Sequence, residues 1–434
     1  MISVDAARCC YCGACVSVCP VGALDLQETR LAVSEECMEC GLCLPACPMG
    51  ALRATEAQVR PLPTIRDSCD VVVVGAGPGG AVAAWEAAAH GLSVLLLEKR
   101  QEIGSPVRCA EGIGHDALLP FIEPDPAWIS ARISSARIIT VHDGRERVWQ
   151  AQGRGERQVG YVLERRVFDR VLAEKAALAG ARVQVKTAAL GLLREGQRVV
   201  GVVAEGPWGR REIAARVVIG ADGIESRVGR WAGLETTLPQ QDQMTCAQFL
   251  LAGIDVAPHC TCYYLDPVLA PGGYAWVFPK GGQRANVGLG VQAGLSASAP
   301  VELLTRFIES HAFLSQGNPV TLIAGGVPVA MPPARLVTDG CLLVGDAARQ
   351  VDPLTGGGIG NAMAAGRLAG RVAASAIAAG DVSAVALSRY EHEWAAGIGR
   401  QMARNFRLRA RFPPAERCSE RFLSVFAMAV GGSK

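Results

Sequence analysis

Two sets of four cysteines stand near the N-terminus of this 434-residue chain and follow one pattern, C-x2-C-x2-C-x3-C-P: Cys9, Cys12, Cys15 and Cys19, then Cys37, Cys40, Cys43 and Cys47. Each cysteine of the second set lies 28 residues after its counterpart in the first. Because four cysteines and the following proline recur at one fixed offset, the segment is an internal duplication. No apolar signal segment precedes it, so the eight thiols of the two sets, all within 39 residues, favour metal ligation in a reducing, cytoplasmic compartment over disulfides.

The spacing within each set suits an iron–sulfur cluster. Two-residue gaps allow three thiolates to converge on one [4Fe-4S] cube, while the fourth cysteine of each set binds the cube of the other. This rule predicts the ligands of two clusters: Cys9, Cys12, Cys15 and Cys47 for the first, and Cys37, Cys40, Cys43 and Cys19 for the second. A zinc site, the alternative, would use one C-x2-C pair from each half and would leave the third cysteine and the Cys-Pro pair unexplained.

Residues 1–58 resemble the bacterial two-cluster ferredoxins, with every ligand position filled. The resemblance implies a small α+β domain that passes single electrons. Residues 59–69 contain two prolines and mixed charge, and we predict a linker there.

A different kind of motif begins after this region. An apolar run at residues 71–74 leads into Gly75-x-Gly77-x-x-Gly80, an alanine-rich segment follows, and a second apolar run stops at Glu98. The glycines permit a tight turn and close approach of a pyrophosphate to a helix N-terminus, and the acid is placed to bind a ribose hydroxyl. The order of strand, loop, helix, strand and glutamate therefore predicts a dinucleotide-binding unit.

Two later motifs favour FAD as the dinucleotide. Residues 217–223 run from an apolar strand into a turn at Asp222, and residues 341–348 form another apolar strand that reaches Gly345 and Asp346. This order resembles flavoproteins of the p-hydroxybenzoate hydroxylase fold, in which the aspartate matching Asp346 binds the ribityl chain of FAD. A glycine loop follows in the sequence. The resemblance also implies that this loop begins a helix whose N-terminus faces the flavin ring. Its three candidate contacts with FAD are Gly357, Gly358 and Ile359.

Residues 70 to about 380 resemble the geranylgeranyl reductase family in three local matches: "GSPVRCAEGI" at 104–113, "PGGYAWVFPKG" at 271–281 and "GDAARQVDPLTGGGI" at 345–359. The resemblance implies an FAD-dependent oxidoreductase that saturates isoprenoid C=C bonds, with the geranylgeranyl groups of a membrane lipid precursor as the leading substrate. It places the first loop beside the flavin, where we expect Arg108 to contact FAD and Cys109 to supply a proton or position the alkene, with Arg108 and Glu111 as secondary candidates for that role.

The second match carries an aromatic stripe. Tyr274, Trp276 and Phe278 alternate along one strand, so their side chains share a face. We expect Tyr274 and Trp276 to wall the prenyl chain and to take part in catalysis. The alternative for these rings, as for the Cys109 thiol, is simple packing, and solvent is an alternative proton source.

Only one complete dinucleotide-binding unit is visible in the sequence, so the flavin needs electrons from another source. The two predicted clusters supply that route, with reduced ferredoxin or another low-potential donor as the partner. Two further functions stay open: an electron-transfer flavoprotein:quinone oxidoreductase-like enzyme, and an electron-relay subunit of a larger complex.

The charge and the apolar runs of the chain limit which other partners are expected. A formal net charge of +2 gives no electrostatic reason to expect nucleic acid, and no apolar run reaches the length of a membrane span. Arginines are interspersed with aromatic residues over 395–430. That pattern leaves open either a helical cap or a peripheral contact with the inner face of the cell membrane.

The predicted fold class is α/β, with a Rossmann-like FAD-binding domain and an inserted antiparallel sheet, plus the small α+β ferredoxin-like domain. The predicted domain ranges are the ferredoxin domain 1–58, the linker 59–69, a discontinuous FAD-binding domain at 70–235 and 335–380, a substrate-binding sheet at 236–334, and a C-terminal helical region at 381–434.

Overall fold

The computed structural model describes residues 2–54, 65–142, 145–152 and 159–430. Its cysteine-rich part consists of short elements, in chain order: β1 Ile2–Val4, β2 Leu24–Gln27, β3 Arg30–Val33, α1 Cys43–Ala46 and β4 Leu52–Ala54. β1 pairs antiparallel with β4, and β2 pairs antiparallel with β3. The first strand thus closes on the last, and both halves of the duplication belong to one α+β unit, as predicted.

The strands that follow residue 64 are, in chain order: β5 Ile65–Val74, β6 Val94–Leu97, β7 Gly112–Gly114, β8 Ile129–Ile133, β9 Ser135–His142, β10 Arg145–Gln152, β11 Gly160–Leu163, β12 Arg182–Gln184, β13 Ala188–Glu195, β14 Arg198–Gly206, β15 Gly209–Gly220, β16 Gln243–Ala252, β17 Cys260–Leu265, β18 Tyr274–Gly281, β19 Arg284–Gln292, β20 Asn318–Pro328, β21 Val337–Thr338 and β22 Cys341–Leu343.

The helices that follow residue 64 are, in chain order: α2 Pro78–Ala89, α3 His115–Leu118, α4 Arg165–Leu178, α5 Arg227–Trp231, α6 Pro300–Glu309, α7 Ala312–Ser315, α8 Ile359–Ala378, α9 Ala384–Leu387, α10 Arg389–Ala396, α11 Ile398–Ala410 and α12 Glu420–Val430.

A mixed sheet forms the Rossmann-like part, in the order β12-β6-β5-β15-β14-β13, with β22 beside β15 and β21 beside β22. β12, β6, β5, β15 and β22 are mutually parallel, whereas β13, β14 and β21 pair antiparallel. Val71, Val72 and Val73 in β5 are fully buried, as expected for a β-branched run covered on both faces. The predicted α/β class is confirmed.

Helices α2 and α8 touch through their backbones. A Cβ placed on Gly366 would lie 2.1 Å from the Gly79 carbonyl oxygen, and one on Gly370 would lie 2.7 Å from the Ala83 carbonyl oxygen. Only residues without a side chain allow this approach. The contact brings the N-termini of both helices to the wall of one cavity.

The second large sheet has seven strands in the order β10-β9-β17-β18-β19-β16-β20, antiparallel except between β9 and β17. An antiparallel sheet was predicted for 236–334, and β16 to β20 form it. The predicted range was too narrow, because β9 and β10 join this sheet from within the range 70–235 that we assigned to the FAD-binding domain. Their place depends on pairing with β17, more than 100 residues away, which no local pattern reveals.

The linker predicted for 59–69 is wrong at its C-terminal end. Residues 65–69 begin β5 and pair in parallel with residues 211–215 of β15, so a distant partner strand extends β5 beyond its apolar run. The rest of that range, 59–64, lies outside the described residues. The other domain boundaries stay predictions.

The last helix, α12, packs against the seven-stranded sheet. On α12, Phe422 is 4% exposed and Phe426 is fully buried, and Phe426 contacts the rings of Tyr263 and Tyr274. The aromatic residues of this segment therefore face the protein, as a helical cap requires. Within the described part of the chain, no helix has both the length and the apolar character needed to cross a membrane.

Candidate active site and cofactor-binding residues

The duplicated sequence gives two equivalent loops. Tyr11 and Gly13 have φ values of 55° and 76°, and Glu39 and Gly41, 28 residues later, have 55° and 75°. The Ala23 N–H donates to Cys19 Sγ at 3.3 Å, and the Ala51 N–H donates to Cys47 Sγ at the same distance. Each fourth cysteine is thus held by the backbone in the same way.

The predicted first ligand set surrounds a small pocket. All four cysteines of this set line the pocket, together with Cys10 and apolar side chains: Cys9, Cys12, Cys15 and Cys47, with Leu26, Leu31, Met49 and Leu52. Burial raises the pKa of Cys15, and negative charge on Cys47 and Cys9 raises it further. Four thiols around an apolar pocket fit an iron–sulfur cluster, whose irons bind thiolates.

The predicted second ligand set is also brought together. Burial raises the pKa of Cys43, and negative charge on Cys37, Cys40 and Cys19 raises it further. Burial also raises the pKa of Cys19, but the backbone N–H groups of residues 21–24 outweigh this effect and lower the pKa below its ordinary value. Among the described residues, no three His, Cys, Asp or Glu side chains converge on a single ion. A four-iron cluster takes one thiolate on each iron, so its ligands stand apart.

The predicted dinucleotide loop forms a narrow cradle at the start of α2. Gly75 has a φ of 104°, and a Cβ there would lie 2.4 Å from the Ala221 carbonyl oxygen. A Cβ on Gly80 would lie 1.9 Å from the Gly75 carbonyl oxygen, whereas one on Gly77 would meet nothing within 4 Å. Gly75 and Gly80 therefore shape the turn, and Gly77 leaves space where a ligand approaches.

Glu98 follows β6 at the rim of this cradle. Its carboxylate accepts hydrogen bonds from the Ala76 N–H at 3.0 Å and the Arg100 N–H at 2.9 Å. These bonds fix the carboxylate against the glycine loop, beside the same cavity. That position suits the ribose contact predicted from the sequence.

Two aspartates line the cavity farther along. Asp222 Oδ2 accepts the Val228 N–H at 2.9 Å, whereas Asp222 Oδ1 is buried without a hydrogen-bond partner among the described residues. Burial raises the pKa of Asp222 despite these backbone bonds, and burial raises the pKa of Asp346 against the opposing charge of Arg165. A buried acceptor without a donor is expensive, so the hydroxyls of a bound FAD fit here.

One cavity of about 1300 Å³ connects these residues with the predicted alkene site. Its wall contains the remaining candidates from the sequence: Arg108, Cys109, Tyr274, Trp276, Gly345, Gly357, Gly358 and Ile359. A single continuous cavity therefore brings the FAD cradle, the Cys109 loop and the aromatic strand β18 together.

The aromatic strand is tied to the Cys109 loop by one side chain. Gln248 on β16 accepts a hydrogen bond from Trp276 Nε1 at 2.8 Å and donates from Nε2 to the Cys109 carbonyl oxygen at 3.3 Å. Cys109 is half-buried, and its sulfur accepts the Glu111 N–H at 3.2 Å. The thiol thus stands at the cavity wall with its loop fixed from two sides.

Comparison with known proteins identifies the family. Residues 242–327 match the geranylgeranyl reductase catalytic domain, and residues 70–277 match the FAD dependent oxidoreductase family. A digeranylgeranylglycerophospholipid reductase from Methanothrix thermoacetophila is 52% identical over 345 residues, which cover 79% of this chain and 87% of the relative. This chain belongs to the geranylgeranyl reductase family. It is an FAD-dependent oxidoreductase that acts on C=C bonds, as the sequence predicted.

Further comparisons agree with this assignment. The reductase of the same name from Methanocella arvoryzae is 49% identical over 80% of this chain and 87% of its own. The crystal structure of a geranylgeranyl bacteriochlorophyll reductase-like protein from Thermoplasma acidophilum superposes with a TM-score of 0.79 at 39% identity, covering 84% of this chain and 92% of that one. At the N-terminus of our reductase, residues 2–25 match a 4Fe-4S binding domain, and residues 14–58 match the LdpA Fe-S cluster-binding domain. The reductase is therefore an iron–sulfur protein as well as a flavoprotein.

Sequence reasoning missed a buried polar network behind the Cys109 loop of the reductase. Lys280 and Glu111 are 2% and 3% exposed, and Lys280 Nζ donates to Glu111 Oε2 at 2.7 Å. Asn286 Nδ2 donates to the same oxygen at 2.8 Å, and the Arg165 N–H donates to Glu111 Oε1 at 2.7 Å. Lys280 lies within the aromatic match at 271–281, but lysine is almost never fully buried, so nothing local predicted its position.

Proposed function

We propose that this protein saturates the C=C bonds of geranylgeranyl chains on a glycerophospholipid, with electrons delivered through two [4Fe-4S] clusters. The observation that carries the proposal is the continuous cavity in which the FAD cradle, Cys109 and the aromatic strand meet. A long cavity with aromatic walls suits a prenyl chain. The substrates named for the two methanogen reductases support the choice of lipid.

FAD, when bound and reduced, supplies the hydride for one carbon of the double bond. The residues of the chain must then orient the alkene and deliver a proton to the other carbon. We assign the proton to Cys109 Sγ, which lines the cavity. We assign orientation to Tyr274 and Trp276, whose rings meet edge to face with centroids 5.9 Å apart. Tyr274 Oη also donates to the Thr355 carbonyl oxygen, which fixes its ring beside the glycine loop.

The number and ligands of the clusters can be tested at one cysteine. We expect Cys19→Ser to lower bound iron from about eight to about four atoms per chain, because Cys19 ligates only the second cluster. Cys10→Ser is the matched control, since Cys10 lines the same small pocket but lies outside both sets, and its thiol donates to the Arg8 carbonyl oxygen at 3.7 Å. Iron and acid-labile sulfide are measured on anaerobically purified protein. Full iron content in Cys19→Ser, or loss of a cluster in Cys10→Ser, would contradict the assigned ligand sets.

The part of the iron–sulfur domain that holds the first ligand set contacts the rest of the chain. Arg8 Nε donates to the Pro207 carbonyl oxygen at 2.9 Å, and Lys186 Nζ lies 5.1 Å from the centroid of the Tyr11 ring. Lys186 in turn donates its N–H to the Arg100 carbonyl oxygen at 2.7 Å, and Arg100 lines the cavity. These contacts support the first cluster as the one that passes electrons to the flavin.

The side of the second ligand set faces solvent. Met38 is 61% exposed and Leu42 is 54% exposed. The corresponding residues of the first set, Cys10 and Ala14, are partly buried. An exposed apolar patch next to a redox centre suits the small interfaces of transient electron transfer. We therefore assign this side to the donor, which is reduced ferredoxin or another low-potential protein.

The choice of electron acceptor tests the function. Under anaerobic conditions, the dithionite-reduced protein is mixed with a geranylgeranyl-bearing glycerophospholipid, and flavin absorbance is followed. We expect the lipid to reoxidise the flavin and a quinone analogue to leave it reduced. Prompt reoxidation by the quinone and none by the lipid would favour the electron-transfer flavoprotein:quinone oxidoreductase-like alternative.

The assignment of Cys109 predicts a split between two half-reactions. We expect Cys109→Ala to reduce the rate of alkene saturation by about 10²-fold, the usual contribution of a general acid. The rate of flavin reduction should change by less than about twofold, because that half-reaction transfers no proton to the alkene. Cys418→Ala is the control, since Cys418 is buried outside the cavity. A loss of less than about threefold in single-turnover rate would mean that solvent supplies the proton.

A further inference from the structure

Arg409 on α11 is a buried cation at the wall of the cavity. It is 8% exposed, and its guanidinium makes only long contacts with the residues that the structure describes. Nη1 lies 3.5 Å from the Val329 carbonyl oxygen, and Nη2 lies 3.5 Å from Gln292 Oε1 and 3.6 Å from Met244 Sδ. Hydrogen bonds from a charged donor are normally about 2.7–2.9 Å long. The guanidinium is thus poorly satisfied by the protein alone.

No carboxylate of the described residues forms an ion pair with Arg409 within 4.0 Å. Burial lowers the pKa of Arg409, and the charge of Asp242 opposes that change only from a greater distance. A buried charge without a close counter-ion is strongly unfavourable, and proteins normally pair it or use it to bind a ligand.

A second arginine stands beside the first. Arg417 Nη1 donates to the Gly272 carbonyl oxygen at 2.8 Å and to Gln292 Oε1 at 2.9 Å. The two guanidiniums therefore share one amide oxygen. Burial lowers the pKa of Arg417 to about 10, and the positive charge of Arg409 contributes to that shift. Arg417 Nε also donates to the Phe412 carbonyl oxygen at 3.2 Å, so Arg417 is better satisfied than Arg409 and mainly adds positive charge beside it. A poorly satisfied guanidinium with a second cation beside it suits an anion with several acceptor oxygens.

The position of this pair fits the substrate. Met244, next to Arg409, and Gln248, which binds the Cys109 loop, are four residues apart on β16. At the rise of a β-strand they are separated by about 13 Å, and both line the cavity. In the strand register Gln248 lies level with Trp276, whereas Met244 lies beyond the level of Tyr274. The cationic site thus lies past the Tyr274 end of the aromatic wall, and the alkene site lies beside Trp276.

We propose that Arg409, assisted by Arg417, binds the phosphate of the substrate and so sets how far the prenyl chain reaches toward Cys109. This assignment rests on the proposed function for the identity of the lipid. The chemistry recognised is a phosphate ester or free phosphate, and the two sources are separated by experiment.

The test uses the whole protein with FAD bound and three probes: inorganic phosphate, a geranylgeranyl glycerophospholipid, and the same lipid without its phosphate. We expect Arg409→Gln to raise KM for the phospholipid by about 10- to 100-fold, the loss of hydrogen bonds to a charged group. The KM for the phosphate-free lipid should not change. Arg407→Gln is the matched control, because Arg407 is exposed on the same helix. Arg409→Lys, which keeps the charge but loses the forked geometry, should give an intermediate KM.

A binding measurement separates this proposal from the proposed function. Inorganic phosphate should raise the Tm of the unmodified protein and of Arg407→Gln, but not that of Arg409→Gln. This result stands even if no lipid is saturated. Equal changes in KM for both lipids would show that Arg409 only packs the helix, and would overturn the proposal. A third outcome is that inorganic phosphate stabilises the protein through Arg409 and yet fails to compete with the phospholipid. That result would assign the site to free phosphate and overturn the headgroup role.

Discussion

Replacing Lys280 by methionine is expected to lower the free energy of unfolding by about 3–5 kcal/mol, the usual effect of breaking a buried ion pair. The substitution leaves Glu111 buried, with a negative charge and without its cationic partner at 2.7 Å. Glu164 also loses a contact with Lys280 Nζ at 3.1 Å, but its side chain is 40% exposed and water replaces the lysine there. The measurement is urea unfolding of the FAD-saturated protein.

A double substitution isolates the pair. Glu111→Gln alone should also destabilise the protein, because Lys280 then loses its closest buried counter-charge. The combination Glu111→Gln with Lys280→Met should recover much of the loss, since no unpaired charge is left in the interior. If the two losses simply add, the residues do not act as a pair. The variants should also lose activity, because Glu111 holds the loop that carries Cys109.

Replacing Gly80 by alanine is expected to raise the Kd for FAD by about 5- to 150-fold, which corresponds to the usual 1–3 kcal/mol of overpacking. The added Cβ would lie 1.9 Å from the Gly75 carbonyl oxygen and 2.9 Å from the Ala221 Cβ. Both contacts are impossible without opening the turn that begins α2.

Gly77→Ala serves as the comparison for Gly80→Ala. Its added Cβ meets no protein atom within 4 Å, so the Tm of the FAD-free protein should not change. Weaker FAD binding by Gly77→Ala at unchanged Tm would show that the ligand itself approaches this glycine. Tight FAD binding by Gly80→Ala would mean that the glycine loop is not the dinucleotide cradle.

The sequence predicted the parts of this protein that depend on local chemistry. The glycine loop joins strand β5 to helix α2, Glu98 follows β6, and the aromatic residues lie on strand β18, as their spacing indicated. Each of these patterns is short and is read from neighbouring residues, so burial and pairing elsewhere in the chain do not alter it.

The parts that failed depend on distant partners. Strands β9 and β10 were assigned to the wrong part because only their pairing with β17 decides their sheet. Residues 65–69 were read as linker because β15 extends the strand from outside. Lys280 and Arg409 were not predicted as buried, because a charged side chain in a sequence is read as exposed unless its partner is known.

The two halves of the duplicated region share one pattern but lie in different surroundings. Both halves keep the same backbone turns and the same N–H contact to the fourth sulfur. Their surroundings differ, since Tyr11 contacts Lys186 whereas Met38 and Leu42 are exposed. The difference in exposure gives the proposed direction of electron flow, from a donor at the second ligand set to the flavin beyond the first.

The most direct test of the account is the mass of the lipid after turnover. The purified protein, reduced anaerobically by a low-potential donor, is incubated with a geranylgeranyl glycerophospholipid, and the extracted lipid is analysed by mass spectrometry. We predict a mass gain of one H2 for each saturated double bond, with two electrons consumed per bond, and no gain in a Cys19→Ser variant driven by a protein donor. An unchanged lipid mass with a flavin that cycles normally would contradict the proposed function.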